Sequence, residues 1–190
     1  DHLASEMSDR ASERVCRESM AINEAAIRRW MVSAATAWNQ YLKGKDVYEQ
    51  QKAGDSKETA SEFFTLSLKT CATGDHARGC FFLRAKCNMK TRPQLAINDL
   101  ISYIKLDKYN AEAHYLLGAL VMDSHTGSET LAYERAEQYL LKAQSIQPSL
   151  FADPESEYSK KLSKVKDKAA EARAIALAEI KKNAGNAALQ

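Results

Sequence analysis

The sequence has few of the residues that interrupt helices, with only 7 glycines and 3 prolines among 190 residues. That scarcity excludes collagen-like and low-complexity chains, which are rich in one or both of them. The formal net charge of +2 is close to neutral, which argues against the concentrated basic surface of a nucleic-acid-binding domain. Long apolar runs are also lacking, since no stretch approaches the roughly 20 residues that cross a bilayer.

The composition that remains is typical of a soluble helical protein, with 45% hydrophobic and 27% charged residues. A chain of 190 residues can form one core or a short array of repeats, and one domain is the default. It begins at Asp1 rather than at a methionine. A signal peptide, a lipid-anchored leader or a transmembrane anchor could therefore have been removed or left out, and the sequence does not decide which.

Apolar residues recur at helical spacing through most of the chain, and no strand pattern of comparable strength occurs. Pro93 suits the first turn of a helix, and Asp153 is a good N-cap with Pro154 directly after it. The pattern predicts a flexible lead-in over 1–14, helices over 15–42, 57–72, 76–90, 93–106, 111–123, 129–147 and 154–182, a long connection over 43–56 and a tail over 184–190.

Helix pairs at a regular period indicate a helical repeat. One unit runs from Ala77 to Asn110, and a second unit with the same internal spacing runs from Ala111 to Pro148. Only the turn inside the second unit is longer. The corresponding positions are Cys80, Leu83, Arg84, Cys87, Ala96, Leu100 and Tyr103 in the first unit, and His114, Leu117, Gly118, Val121, Ala136, Leu140 and Ala143 in the second.

These units resemble the tetratricopeptide repeat, although His114 stands where that family has Trp, and Arg84 where it has Gly. The resemblance implies an all-α, right-handed superhelix of two to three helix pairs with flanking helices at both ends. The repeat domain would cover 15–150, and 151–183 would form a C-terminal capping helix. The residues that match the family pattern outright are Leu117, Gly118, Ala136, Ala143 and Pro148.

The resemblance also implies a concave groove lined by the first helix of each unit. Apolar and aromatic side chains in its middle suit an extended or helical peptide of a partner protein. The alternative is that the C-terminal helix or the N-terminal segment of this same chain fills the groove. Family members that clamp chaperone C-termini use Lys, Asn and Arg at certain groove positions, and that subtype is disfavoured here. At those positions this chain has Phe81, Phe82, Ala85, Glu112, Tyr115 and Leu116. The predicted groove residues are Phe81, Ala85, Asn88, Met89, Glu112, Tyr115, Ala119 and Met122.

The stretch TCATGDHARGC resembles the cysteine-rich variant of these repeats, in which a Cys closing one unit bonds to a Cys opening the next. The resemblance implies a disulfide between Cys71 and Cys80, which lie on opposite arms of a turn. A disulfide would place the protein in an oxidising compartment, such as a bacterial periplasm or cell envelope. The alternative is that the cysteines are small buried hydrophobes, in a cytoplasmic or organellar protein.

Motifs for catalysis and for metal binding are missing from the sequence. Cys71, His76, Cys80 and Cys87 do not have the paired spacing of structural zinc sites, and no nucleophile elbow or phosphate loop occurs. We therefore expect no catalytic residue, no metal and no cofactor. The predicted function is a non-enzymatic scaffold or adaptor for a protein or peptide partner, for example an assembly factor of a bacterial envelope complex, with no role for nucleic acid and membrane contact only through a missing anchor.

Two alternative functions stay open. The apolar groove could serve as the pocket of a small-ligand carrier or accessory subunit. The last helix could instead pair with another copy of the chain, because it carries an apolar seam that suits either a capping helix or a helical dimer. The seam consists of Tyr158, Leu162, Val165, Ala169, Ala172 and Ala176.

Overall fold

The computed structural model of the chain describes the backbone of residues 2–51, 57–124 and 128–187, and the side chains in these ranges except at 2–13, 16 and 184–187. Every regular element in these ranges is helical, so the predicted all-α fold is confirmed. The helices are α1 (His2–Gln50), α2 (Glu58–Thr70), α3 (Asp75–Asn88), α4 (Pro93–Leu106), α5 (Ala111–Asp123), α6 (Glu129–Ile146) and α7 (Glu157–Ala187), with a 3₁₀ turn at Pro148–Phe151 before α7.

Consecutive helices pack side by side and antiparallel, so that α1, α3, α5 and α7 form one row and α2, α4 and α6 the other. In the first pair, the Ser67 hydroxyl donates a 2.7 Å hydrogen bond to the Ala37 carbonyl. In the third pair, α5 approaches α6 so closely at Gly118 that a Cβ there would lie 2.9 Å from Leu140. The molecule is thus an array of three helix pairs, α1/α2, α3/α4 and α5/α6, with α7 flanking the last one.

Helix α1 is longer than the sequence pattern predicts. It includes most of the lead-in and continues to Gln50, so residues 43–50 of the predicted connection are helical, whereas 52–56 lie outside the described residues. The reason is the role of Gly44, where a Cβ would lie 2.8 Å from the Phe64 ring. This glycine permits close packing of α1 on α2 rather than a turn.

The start of α7 also differs from the prediction. The Asp153 carboxylate accepts a 2.9 Å hydrogen bond from the backbone N–H of Glu155, which forms a local turn, and the helix begins only at Glu157. Ser156 supplies the cap, because its hydroxyl accepts a hydrogen bond from the Ser159 N–H at 3.2 Å. Helix α7 then extends to Ala187, into the predicted tail, while 188–190 and the α5–α6 loop residues 125–127 lie outside the described residues.

The core consists of three apolar clusters, one for each helix pair. The first surrounds Phe64 between α1, α2 and α3, and the second surrounds Leu100 and Leu117 between α3, α4 and α5. The third surrounds Leu140 and includes Leu162 and Val165 of α7. The apolar seam of α7 is therefore buried within the chain over its first half, as expected of a capping helix.

Candidate functional site: the inner face

The row of α1, α3, α5 and α7 forms one face of the array, which we call the inner face. Contacts between successive members of this row define it. A Cβ on Gly79 of α3 would lie 2.7 Å from the Tyr41 ring of α1, and the Lys86 ammonium of α3 lies 2.8 Å from the Glu112 carboxylate of α5. This is the face on which the sequence places the binding groove.

The groove positions predicted on α5 do belong to this face, but α7 covers half of them. The Tyr115 ring centroid lies 4.3 Å from that of Tyr158, and the Tyr115 hydroxyl donates a 3.0 Å hydrogen bond to the Glu157 carboxylate. Burial and this carboxylate both raise the pKa of Tyr115. Met122 is buried in the same cluster as α7. The chain therefore fills this part of the groove with its own C-terminal helix, which is one of the two occupants considered from the sequence.

Glu112 and Ala119 of α5 remain half-buried, and their side chains are accessible from the inner face. Asp123, one turn further along, is exposed and accepts a 2.7 Å hydrogen bond from Lys161 of α7. The α5 side of the inner face is thus a strip of small and charged residues beside the covered aromatic residues. It is more polar than the sequence pattern predicts.

Two of the four groove positions predicted on α3, Ala85 and Asn88, are wrong, because both side chains are buried. Ala85 is fully buried in the cluster around Leu100, and Phe81 packs against the same cluster. Asn88 is also buried, and its amide donates hydrogen bonds to the Ser61 hydroxyl at 2.7 Å and to the Arg84 carbonyl at 2.8 Å. Ala85 and Asn88 therefore hold α3 against α4 and α2 and do not line a groove.

An error of a single position in the alignment of the two units explains this result. The contacts of α3 match those of α5 when Ala85, and not Arg84, is aligned with Gly118. Ala85 is then the small residue that lies against the second helix of its own pair. The same register pairs Phe82 with Tyr115, Lys86 with Ala119 and Met89 with Met122.

The residues of α3 that do reach the inner face are Phe82 and Lys86, with half-buried Met89 at the end of the helix. Lys86 lies over the Phe82 ring, 5.2 Å from its centroid. Burial lowers the pKa of Lys86, but the hydrogen bond and charge of Glu112 outweigh it, so the pKa is raised overall. The small size of Ala85 was the sequence signal that could have fixed this register.

Arg84 holds a polar network behind the inner face. Its guanidinium donates two hydrogen bonds to the Asp99 carboxylate, at 2.7 and 2.8 Å, and a third to the Thr65 hydroxyl at 3.1 Å. The network therefore joins α2, α3 and α4. It occupies the position where the tetratricopeptide pattern has a small or apolar residue, and it is structural rather than accessible.

The predicted disulfide is not formed, because Cys71, Cys80 and Cys87 are all free thiols. Cys80 is fully buried between α2 and α3, and burial raises its pKa to about 11. The Cys71 thiol instead lies in the turn before α3, where hydrogen bonding to Thr73, at 3.3 Å from Sγ to Oγ1, lowers its pKa. The Cys71 thiol is therefore partly exposed at the turn, whereas the Cys80 thiol is enclosed by the two helices.

A recess of about 370 Å³ lies at the start of α7, next to the covered Tyr115. Charged residues line it, namely Glu155, Glu157, Lys160, Lys161 and Lys164. Among the side chains that the structure describes, no group of three or more His, Cys, Asp or Glu residues could hold a metal ion. In the same described part, none of the helices is long and apolar enough to span a membrane.

No protein-family model matches the chain, and no curated protein sequence matches it either.

Proposed function

We propose that the chain is a non-enzymatic scaffold of tetratricopeptide-like units, and that it binds a segment of a partner protein on the part of the inner face that α7 leaves open. The observation that carries this proposal is the mixed surface around Lys86. The ammonium lies between the Glu112 carboxylate and the Phe82 ring. Aromatic, cationic and anionic groups from α3 and α5 thus meet on one surface.

This surface suits a peptide segment that carries both apolar and charged side chains. Phe82, Met89 and Ala119 offer apolar contact area, and partly exposed aromatic residues and Met are frequent at protein interfaces. Lys86 and Glu112 offer one charge of each sign, which would fix the direction of the bound segment. A partner group could replace either member of this ion pair because the Glu112 side chain is 43% exposed.

The tetratricopeptide interpretation is supported by two features of the array. Gly118 allows close approach of α5 and α6 at the position where the family has its glycine. Helix α7 packs on the last pair as a capping helix does in helical-repeat proteins. The carrier alternative has less support, because the recess beside α7 is lined by charged side chains and the apolar groove that it requires is half covered.

Charge reversal at two lysines tests the proposal. Peptides selected from a displayed library on the wild-type protein would be titrated against Lys86→Glu and against the matched control Lys105→Glu, which alters an exposed lysine on α4. We expect Lys86→Glu to weaken binding by about tenfold or more and Lys105→Glu to leave it within about twofold, since tenfold corresponds to about 1.4 kcal/mol. Equal affinities for both variants would show that peptides bind elsewhere.

A further inference from the structure

The N-terminal part of α1 extends beyond the array. All described side chains from Arg14 to Val32 are exposed, and the helix first packs against the array near Ser33. We call residues 14–32 the arm. Four of its large apolar side chains, Met20, Ile27, Trp30 and Met31, are 57–72% exposed. Residues 2–32 of α1 would form a rod about 45 Å long at the usual rise of an α-helix.

One face of the arm continues along α1 and becomes buried beyond residue 33. Helical spacing places all charged residues of the arm on one half of the helix and leaves the other half uncharged from Val15 to Tyr41. Beyond residue 33 this uncharged half packs against the array: Ala37 is fully buried, and the ring centroids of Tyr41 and Phe64 are 6.2 Å apart. The same face thus packs against helices in the body of α1 and is uncovered on the arm.

The spacing of the uncovered residues suits another helix. Met20, Asn23, Ile27 and Trp30 follow one another at intervals of three and four, the pattern of a coiled-coil seam. Asn23 lies in the middle of this seam, where lipid would leave its amide without a hydrogen-bond partner. An amide both donates and accepts, so a second copy of the same residue or a neighbouring backbone group can satisfy it.

The charged residues on one edge of the seam are self-complementary. Arg17 and Glu24 border the seam on that edge, and Ser19 and Ala26 on the other edge are uncharged. When two helices pack antiparallel, like edges adjoin and their order is reversed. Two arms in this arrangement would place Arg17 of each copy beside Glu24 of the other.

From the continuity, the seam and its one charged edge, we propose that the arms of two copies of the chain pair antiparallel through their uncharged faces and form a homodimer. The two arrays then lie at opposite ends of the paired arms. This interface is separate from the inner face and does not depend on the function proposed for it. It also differs from self-association through α7, whose seam is buried within the chain over its first half.

Sedimentation velocity of the full chain, from low to high micromolar concentration, tests the dimer. The wild type is expected to sediment with twice the chain mass, and Ile27→Glu is expected to be monomeric. Val32→Glu is the matched control, because Val32 is an equally exposed apolar residue on the charged half of the same arm. Circular dichroism of each variant checks that the helices are retained.

A charge exchange tests the antiparallel arrangement. Arg17→Glu should weaken the dimer, by about tenfold if each of the two symmetric contacts contributes about 0.7 kcal/mol. The double variant Arg17→Glu/Glu24→Arg should restore it, because the two residues face each other only in antiparallel arms. A wild type that is monomeric throughout, or that is monomeric and binds anionic phospholipid vesicles through the arm, would overturn the proposal. A dimer that survives Ile27→Glu would overturn it as well.

Discussion

The α3/α4 and α5/α6 pairs have the same arrangement of helices, but different residues form the contact between the two helices of each pair. In α5/α6, Gly118 lets the helices touch, and a Cβ there would lie 3.0 Å from the Ala136 carbonyl oxygen. In α3/α4, Ala85 takes that position, and the neighbouring Arg84 forms a buried ion pair with Asp99, with side-chain exposures of 13% and 3%. One fold thus accommodates an apolar and an ionic version of the same interface.

The ionic version carries an electrostatic cost that the apolar version avoids. Burial raises the pKa of Asp99, and the hydrogen bonds and charge of Arg84 lower it without fully compensating. The carboxylate is therefore less favourable in the folded chain than in water, even with two hydrogen bonds from the guanidinium. Replacing both members of such a pair by apolar residues is often neutral or stabilising, whereas removing one member is destabilising.

The largest expected effect is removal of one member of this pair. Arg84→Ala leaves the Asp99 carboxylate buried without its partner, which should lower the free energy of unfolding by about 3–5 kcal/mol. The measurement is urea denaturation followed by circular dichroism. The double variant Arg84→Met/Asp99→Leu is the control and should be close to the wild type in stability, as in the apolar pair. A loss below about 1 kcal/mol for Arg84→Ala would contradict a structural role for the ion pair.

A side chain at Gly118 should break the close contact of the other pair. Gly118→Val forces atoms against Leu140 and the Ala136 backbone, and we expect a loss of about 2–3 kcal/mol from overpacking. The corresponding change in the α3/α4 pair, Ala85→Gly, adds no atoms and should cost only about 1 kcal/mol through helix propensity and a small void. Equal losses for both variants would mean that the approach of α5 to α6 is not limited by Gly118.

A smaller effect is the dependence of stability on pH, which we expect for the α5/α6 pair because it contains His114. The equivalent position on α3 is occupied by Phe81, which does not titrate. Burial lowers the pKa of His114 below its ordinary 6.5. The unfolded chain therefore takes up a proton at a higher pH than the folded chain, and stability should fall as the pH drops below 6.5. In the described part of the chain, the buried Nδ1 has no hydrogen-bond partner to accept an added proton.

Urea midpoints at pH 7.5 and pH 5.5 measure this dependence. His114→Phe gives the α5/α6 pair the residue type of the α3/α4 pair and should reduce the loss of stability in acid. The Nε2 atom lies 3.1 Å from the Lys108 carbonyl, so the variant also loses a hydrogen bond and should be somewhat less stable at pH 7.5. The same pH dependence in variant and wild type would assign the acid sensitivity to other groups.

The smallest expected effect is that of breaking the Lys86–Glu112 ion pair, which joins the α3/α4 pair to the α5/α6 pair. The Lys86 and Glu112 side chains are 30% and 43% exposed, and solvent-accessible ion pairs of this kind contribute about 0–1 kcal/mol. Glu112→Gln should therefore change the urea midpoint little. A large loss of stability would mean that this link holds the pairs together, and charge reversal at Lys86 would then not be a clean test of peptide binding.

The helices could be predicted from the sequence because their apolar periodicity is strong. The boundaries of α4 and α5 match the prediction, since Pro93 fixes the start of one helix and Asn110 caps the other with a 2.9 Å hydrogen bond from the Ala113 N–H. The prediction failed where one residue type serves two purposes. Gly44 suggested a turn but serves close packing, and Asp153 suggested a cap but forms a local turn.

The candidate site was harder to predict from the sequence. When two repeat units are aligned, only the residues that match fix the register, and the units here share few of them. Arg84 is a poor match to the glycine of the tetratricopeptide pattern, and accepting it there shifted three of the four predicted groove residues of α3, namely Phe81, Ala85 and Asn88, by one position. The sequence also left open whether the groove is free for a partner or is filled by a segment of this chain. Apolar periodicity does not show which helices pack together, so it could not predict that α7 covers Tyr115 and Met122. The exposure of the N-terminal half of α1 was not predicted, because apolar periodicity indicates a helix over 15–42 but not whether another helix packs against it.

The packing of α7 over Tyr115 and Met122 has a consequence during synthesis of the chain. A chain emerges from the ribosome from its N-terminus, and the contacts of each helix here are mainly with its neighbours in sequence. The three pairs can therefore assemble while α7 is still inside the ribosome. Until α7 arrives, Tyr115 and Met122 remain exposed to solvent or to chaperones. Helix α7 is thus the element whose synthesis ends the exposure of these two side chains.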